Sequence, residues 1–278
     1  MGTPIGNLGD LSARAVAALA TADLICCEDT RRTRALLSAL GVPTPRLVGI
    51  ERHREATGAA LAVERAARGE RVAVVTDAGM PGVSDPGERV VRAAIDAGVA
   101  VTAVPGPSAA VTALVLAGLD VQRWCFEGFL PRSGARRRSR LRVVAADERP
   151  TVIYEAPTRI AATLGDLLAA CGPERAVVLA RELTKRHEEI WRGTLAAAAG
   201  WPAVGEPRGE WVAVVGGSPG RGEVCDDEIV HALRARLELG SRKRDAVAEV
   251  AASLGVPRRR VYDLAVREGA GGPAAGGR

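Results

Sequence analysis

The sequence predicts an α/β protein: two α/β domains followed by a small helical region. Three observations carry this. Short apolar runs alternate with stretches of helical period, the pattern of strands joined by crossover helices. One apolar run, Val72–Val75, empties into the long loop TDAGMPGVSDPG, whereas most βα connections run about 2–6 residues. The alternation restarts near Gly118–Arg123, and from Asp226 onward only helical periods remain. These breaks place an N-terminal α/β domain at 1–118, a mixed α/β domain at 119–217, a helical region at 223–267 and a disordered tail at 268–278.

Taken in order, the chain opens on a loop, Thr3–Gly9, that lacks dinucleotide-fingerprint spacing. Asp10 or Ser12 can cap the apolar helix that runs to Ala20. No strand precedes this loop, so the natural reading frame is expected to begin upstream of Met1. Ala22–Cys27 is a buried strand ending in Glu28-Asp29-Thr30-Arg31. These polar residues can form a site, and Asp29 or Thr30 can also cap the helix to Leu40. A short strand, Leu47–Ile50, and a helix, His53–Arg68, lead to Val72–Val75. In open α/β sheets ligands bind outside the carboxyl ends of strands, which makes Asp77 and its glycine-rich loop candidate site residues. A helix, Glu88–Ala97, and a buried strand, Val99–Val104, lead to Pro105-Gly106-Pro107-Ser108-Ala109. Here Ser108 is a helix cap or a ligand contact.

In the second half, strands are expected at Trp124–Phe129, Thr151–Glu155, Ala176–Ala180 and Trp211–Val215. Between the first two lies a run of arginines, Arg136, Arg137, Arg138, Arg140 and Arg142, which is either a solvated face or a phosphate-binding surface. Strand ends carry Tyr154-Glu155-Ala156-Pro157-Thr158-Arg159 and Arg181-Glu182-Leu183-Thr184-Lys185. Gly216–Gly222 is a linker. Lys243–Leu254, a turn at Gly255, and a helix after Pro257 bearing Arg258, Arg259 and Arg260 form a helix-turn-helix or a packed helical cap.

Composition narrows the function. No apolar run reaches a membrane span, and no secretory start is present, so a cytoplasmic protein is expected. Five cysteines without CxxC spacing and three scattered histidines give no metal cluster, so no metal is expected. The net charge of +5 suits a polyanionic partner. Lys185 and Lys243 are the only lysines among many arginines. Lys185 is thus notable, because an amine can lose its proton and a guanidinium cannot.

The motifs TPIGNLGDLS, CEDTRRTRALL, TDAGMPGVSDPG, PGPSA, EGFLP, YEAPTR, ARELTK and RKRDAVAEVA…VYDLA occur in this order over nearly the whole chain. Together they resemble the bacterial 16S ribosomal RNA (cytidine-2′-O)-methyltransferases of the tetrapyrrole-methylase superfamily. The chain departs from that pattern at Arg54, Thr76, Met80 and Thr158, and in lacking an apolar strand before Thr3. The resemblance implies S-adenosylmethionine as cofactor in the cleft between two α/β domains, homodimerisation, and a cytidine ribose of the decoding region of 16S rRNA in the 30S subunit as acceptor. It implies Pro4, Gly6, Asn7, Asp77, Ala78, Gly79, Ser108 and Ala109 on the cofactor side. Glu28, Asp29, Arg31, Tyr154, Glu155, Arg159, Glu182 and Lys185 would face the acceptor.

Because the sulfonium already activates the methyl group, the protein must position the ribose hydroxyl and remove its proton. Candidate bases are Lys185, Glu28, Asp29 and Glu155. Arg31, Arg159 and the run Arg136, Arg137 and Arg138 are read as RNA contacts, with Tyr154 beside them. Two other classes fit parts of the sequence. One is a tetrapyrrole C-methyltransferase of the corrinoid or sirohaem branch, and the other a helix-turn-helix DNA-binding regulator.

Overall fold

A computed structural model describes residues 1–50, 55–206, 208–220 and 225–270. They fall into two compact units, Met1–Ser218 and Pro219–Arg278. No helix among the described residues is long and apolar enough to cross a membrane.

The first unit begins with a 3-10 turn, Leu8–Asp10, and helix α1 (Ala13–Ala20), which Ser12 caps by accepting from the Ala15 N–H. Strand β1 (Leu24–Cys27), helix α2 (Thr30–Ala39), strand β2 (Arg46–Gly49), helix α3 (Glu55–Ala67), strand β3 (Val72–Val75) and helix α4 (Glu88–Asp96) follow. The strands form a parallel sheet of order β2-β1-β3, with Leu24 opposite both Arg46 and Val72. The apolar run of β1 follows from its central place. Successive strand side chains alternate faces, so Ile25 and Cys27 pack with Leu19 and Leu37, while Leu24 and Cys26 pack with Ala59 and Val90.

Helix α5 (Ala109–Ala117) leads into strand β4 (Cys125–Phe129), helix α6 (Gly134–Ala146), strand β5 (Thr151–Glu155), helix α7 (Ile160–Cys171), strand β6 (Ala176–Arg181), strand β7 (Glu189–Thr194), helix α8 (Leu195–Ala198) and strand β8 (Trp211–Val215). The second sheet has order β4-β5-β8-β6-β7; β4 and β5 run parallel, and the other neighbours are antiparallel. One face carries α6 and α7 over Ile153, Leu179 and Ala213. The other packs Ala110, Ala113 and Leu114 of α5 against Val152, Val178 and Val214, with Ile5 and Leu183 in the same cluster.

Two differences from the sequence expectation have physical causes. Residues 99–104 form no strand, and Val101 is 48% exposed. A strand needs a ladder neighbour, and the backbone bond this stretch receives is from the Gly2 N–H to the Val104 carbonyl, 3.0 Å. Strand β7 is not expected from the sequence, because Glu189–Thr194 is half-exposed and mixed in polarity, as suits the last strand of its sheet.

The second unit contains helices α9 (Asp226–Glu238), α10 (Lys243–Leu254) and α11 (Arg258–Ala270) around Ile229, Leu233, Val247, Val250, Val261 and Leu264. Gly255, at φ +66°, makes the left-handed turn that ends α10, a conformation glycine adopts without a Cβ penalty. The expected tail overlaps this unit, since Glu268, Gly269 and Ala270 continue α11; residues 271–278 lie outside the described residues.

Candidate active-site cleft

The carboxyl ends of β1 and β3, the Thr3–Gly9 loop and the loop after β6 converge on one cleft of about 390 Å³ in the first unit. Parallel pairing forces this convergence, because β1 and β3 end side by side and release their loops together. The N-terminal loop is fixed to the β3 loop by a two-bond bridge: Thr3 N–H to the Gly79 carbonyl at 2.9 Å, and Gly79 N–H to the Thr3 carbonyl at 3.2 Å. Gly79 sits at φ +83°, which explains a glycine there. The far end of the β3 loop is tied down by buried Glu55, whose carboxylate accepts from the Gly87 and Arg89 N–H groups.

Of the residues singled out from sequence, the cleft gathers Pro4, Gly6, Asp77, Ala78 and Lys185. Asp77 Oδ1 accepts from the Asp29 N–H, 3.2 Å, and Oδ2 lies 3.4 Å from Arg32 Nε. Burial pushes the Asp77 carboxyl above its ordinary value, against the opposing pull of the Asp29 N–H and Arg32. Glu28 stands behind it, with Oε2 3.4 Å from the Asp77 N–H.

Lys185 enters from the opposite wall. Its Nζ lies 2.9 Å from Glu182 Oε1 and 3.1 Å from Glu210 Oε2. Burial pulls the ammonium's pKa down, but hydrogen bonds and charge from Glu182 and Glu210 outweigh it and hold the pKa above the ordinary lysine value. Lys185 is therefore a cation here, which argues against a neutral amine base. Its loop is strained: Glu182 and Thr184 have φ of +55° and +65°, which non-glycine residues adopt at a cost. Gly6 presses into that loop, and a Cβ there would collide with Lys185 Cγ and Thr184 Oγ1. Thr184 Oγ1 is buried with no hydrogen-bond partner among the described residues.

Other sequence-selected residues lie elsewhere. Asn7 caps the 3-10 turn, accepting from the Gly9 N–H at 2.9 Å. Ser108 is the N-cap residue of α5 but makes no capping bond with its side chain. The Ala110 N–H donates to the Tyr154 hydroxyl, 3.0 Å, so Tyr154 sits at the start of α5 beside Ser108 and Ala109. Its ring packs edge-on against Phe126 and Phe129. The Gly79 turn approaches this group, with Pro107 O 3.6 Å from where a Cβ on Gly79 would stand.

Several assignments need correction. Glu155 is buried and fully engaged: it accepts from Thr163 Oγ1 at 2.6 Å and the Ala156 N–H at 2.9 Å, and pairs with Arg159 at 3.3 Å. Its oxygens are thus held within the fold, in contrast to those of Asp77. Arg159 places its guanidinium against Glu155 and the Leu130 carbonyl, which ties it to the end of β5. Arg137 is 8% exposed and bonds Asp166, Thr163 and the Pro131 carbonyl. Helical geometry explains it, since Arg137, Leu141 and Val144 share the inward face of α6 while Arg136 and Arg138 point outward. Asp29 is held well below the ordinary carboxylate value by its hydrogen bonds with Arg31, which makes it a poor proton acceptor; the same bidentate pair occupies Arg31.

Sequence reading missed Arg32 and Glu210. Arg32 follows Arg31 by one helical step and so reaches Asp77 instead of Asp29. Glu210 precedes β8, and the antiparallel register that sets Arg181 opposite Trp211 brings it beside Glu182. The Glu182 N–H donates to the Glu210 carbonyl, and the Glu210 N–H to Glu182 Oε1, both at 2.9 Å. Strand direction was the signal needed, and the motifs did not supply it.

The family model of tetrapyrrole (corrin/porphyrin) methylases matches residues 1–199. The structure resembles that of the methyltransferase CobJ, with TM-score 0.58 and 25% identity over 77% of this chain and 91% of that one. It also resembles uroporphyrin-III C-methyltransferase of Thermus thermophilus complexed with S-adenyl homocysteine, with TM-score 0.54 and 20% identity over 77% of this chain and 94% of that one. The class is thus a methyltransferase of the tetrapyrrole-methylase fold. The chain is 45% identical to ribosomal RNA small subunit methyltransferase I of Mycobacterium tuberculosis, over 98% of this chain and 96% of that one. It belongs to the tetrapyrrole-methylase family and, within it, to the ribosomal RNA small subunit methyltransferase I group.

The cofactor is S-adenosylmethionine, and the residues present fit it. The buried Thr184 hydroxyl and the close glycine turns at Gly6 and Gly79 suit the amine, hydroxyls and polar edges of such a ligand.

Proposed function

We propose that this protein transfers a methyl group from S-adenosylmethionine to the ribose 2′-hydroxyl of a cytidine in the decoding region of 16S rRNA, within the 30S subunit. The observation that carries the reading is the clamped Lys185 cation sharing a cleft with Arg32 and Asp77. A polyanionic acceptor needs such cations, and a hydroxyl nucleophile needs its developing charge stabilised. The relatives' name, ribosomal RNA small subunit methyltransferase I, supports the same substrate class.

The cofactor supplies a methyl group already activated on sulfur. Pro4 and Gly6, with Ala78, Gly79, Ser108 and Ala109, would hold it. Lys185 faces the acceptor oxygen and stabilises it as the proton leaves, and Asp77 and Glu210 are the cleft carboxylates able to receive that proton. Arg32, 70% exposed, can turn from Asp77 to a phosphate. Arg136 and Arg138 on the open face of α6 add further phosphate contacts, and the helices of the second unit present Arg258 and Arg259 to solvent.

We read residues 1–118 and 119–217 as two domains, each with its own sheet, and 223–267 as an accessory helical region. The protein would act as a cytoplasmic homodimer; exposed Val111 and Val115 on α5 and Val91 and Ile95 on α4 offer apolar surface for a second copy. The test is transfer of labelled methyl to 30S subunits lacking the modification, followed by nucleoside analysis. The expected product is 2′-O-methylcytidine. A label on a base, or none on the RNA, would overturn the reading.

A further inference from the structure

The charged residues occupy only part of the cleft. Apart from Thr33 and Thr76, the rest of the lining is apolar, and it includes Leu8 on the N-terminal turn and Ala35, Leu36 and Ala39 on α2. Helix α2 therefore has two apolar faces. Thr33 and Leu37 turn inward and are buried. Arg32, Ala35, Leu36 and Ala39, spaced three and four apart, form a second line along the cleft. The core does not use that line; Ala35 and Ala39 are exposed.

Leu8 is a second and independent sign. It is 50% exposed, in a turn with no buried residue at all. Asn7 spends its side chain capping that turn, so the loop is built to hold a large aliphatic group at the surface. Folding gains little from this, and an apolar ligand surface would gain more.

We propose that this apolar part of the cleft is the slot for the base of the acceptor nucleotide. The inference rests on the reading that the acceptor is a ribonucleotide. A nucleotide has the same asymmetry as the cleft, a flat base of low polarity attached to a hydroxylated, charged sugar phosphate. With the base between Leu8 and the α2 line, the ribose lies toward Lys185, Asp77 and Glu210, and the phosphate toward Arg32. The ion pairs Arg32–Asp77 and Lys185–Glu182 offset the carboxylate charge that would otherwise repel RNA.

The test is a binding experiment with short single-stranded RNAs that differ at one position, a cytidine or an abasic ribose. The parent protein is expected to bind the cytidine form about tenfold more tightly, as burial of a small apolar surface implies. In the Leu8→Ala/Leu36→Ala variant this preference should fall to about twofold or less, with calorimetric S-adenosylmethionine affinity unchanged. Equal parent affinity for both RNAs would overturn the slot. So would a preference that survives in the variant, or a matching loss of cofactor affinity, which would give the slot to the cofactor. Failure of the parent to methylate 30S subunits would instead strike the function proposed above, since binding is read without turnover.

Discussion

Two polar strand ends, Thr76-Asp77 after β3 and Tyr154-Glu155 at the end of β5, look equivalent in the sequence and acquire opposite characters. Glu155 is enclosed by Thr163, Ala156 and Arg159, and Arg137 closes the network from α6 through Thr163. Both of its oxygens are engaged. Asp77 keeps partial exposure, a long ion pair to Arg32 and a wall of the cleft. A carboxylate at a strand end is thus a structural anchor when a following helix folds back over it, as α7 does with Thr163. It is a chemical group when a glycine-rich loop leads the chain away. The same contrast separates Arg137 from Arg136 and Arg138.

The largest effect is expected at Glu155. Glu155→Ala leaves the buried Thr163 hydroxyl and the partly exposed Arg159 guanidinium without their carboxylate, and breaking a fully buried pair costs about 3–5 kcal/mol, which sets the upper bound here. Urea denaturation should show that loss, while the remaining folded protein binds S-adenosylmethionine normally. A stable Glu155→Ala protein with abolished turnover would return Glu155 to the chemistry.

Asp77→Asn should act on rate and leave folding intact. Because burial raises its pKa, the ionised form disappears as pH falls through a value above the ordinary carboxylate one. The rate should therefore show an acid limb above that range, and Asn should remove the limb. The sign for stability is opposite to that of an ion-paired acid: a raised folded pKa means that protonation favours the folded state. Asp77→Asn should accordingly keep or slightly raise stability near pH 7, measured by denaturation at two pH values. A clear destabilisation would place Asp77 with Glu155 instead.

The smallest effects should come from α6. Arg136→Ala with Arg138→Ala should change stability by no more than about 0.5 kcal/mol. It should also flatten the salt dependence of RNA binding by about 0.7–0.9 log units for each phosphate no longer neutralised. Arg137→Ala should do the reverse, lowering stability and leaving the salt slope alone. Equal behaviour of all three would dissolve the distinction.

Much of this was legible in the residues. Strands Thr151–Glu155 and Trp211–Val215 and helix Lys243–Leu254 follow directly from apolar pattern and flanking turns. The family was legible from eight ordered motifs, and the convergence of loops at the ends of β1 and β3 from the parallel pattern. What remained hidden depended on non-local pairing. Residues 99–104 are apolar enough for a strand yet have no ladder. Glu210 enters the site only through the antiparallel register of β6 with β8, and Arg137 leaves it only through its phase on α6. Local propensity does not encode which strand lies beside which, nor which of three consecutive arginines turns inward.

The central claim is that Lys185 works as a cation fixed by Glu182 and Glu210, in the same cleft as Asp77. Its most direct test is methyl transfer to 30S subunits as a function of pH, for the parent, Lys185→Arg and Lys185→Ala. Losing an electrostatic stabiliser should cost Lys185→Ala about 10²–10³-fold in turnover. Lys185→Arg, which keeps the charge, should stay within about tenfold of the parent. Neither substitution should remove an inflection near neutrality, because the clamped ammonium does not titrate there. A neutral-pH inflection in the parent that vanishes in Lys185→Arg, with a loss of about 10²–10⁴-fold, would show that Lys185 is the base and contradict the account.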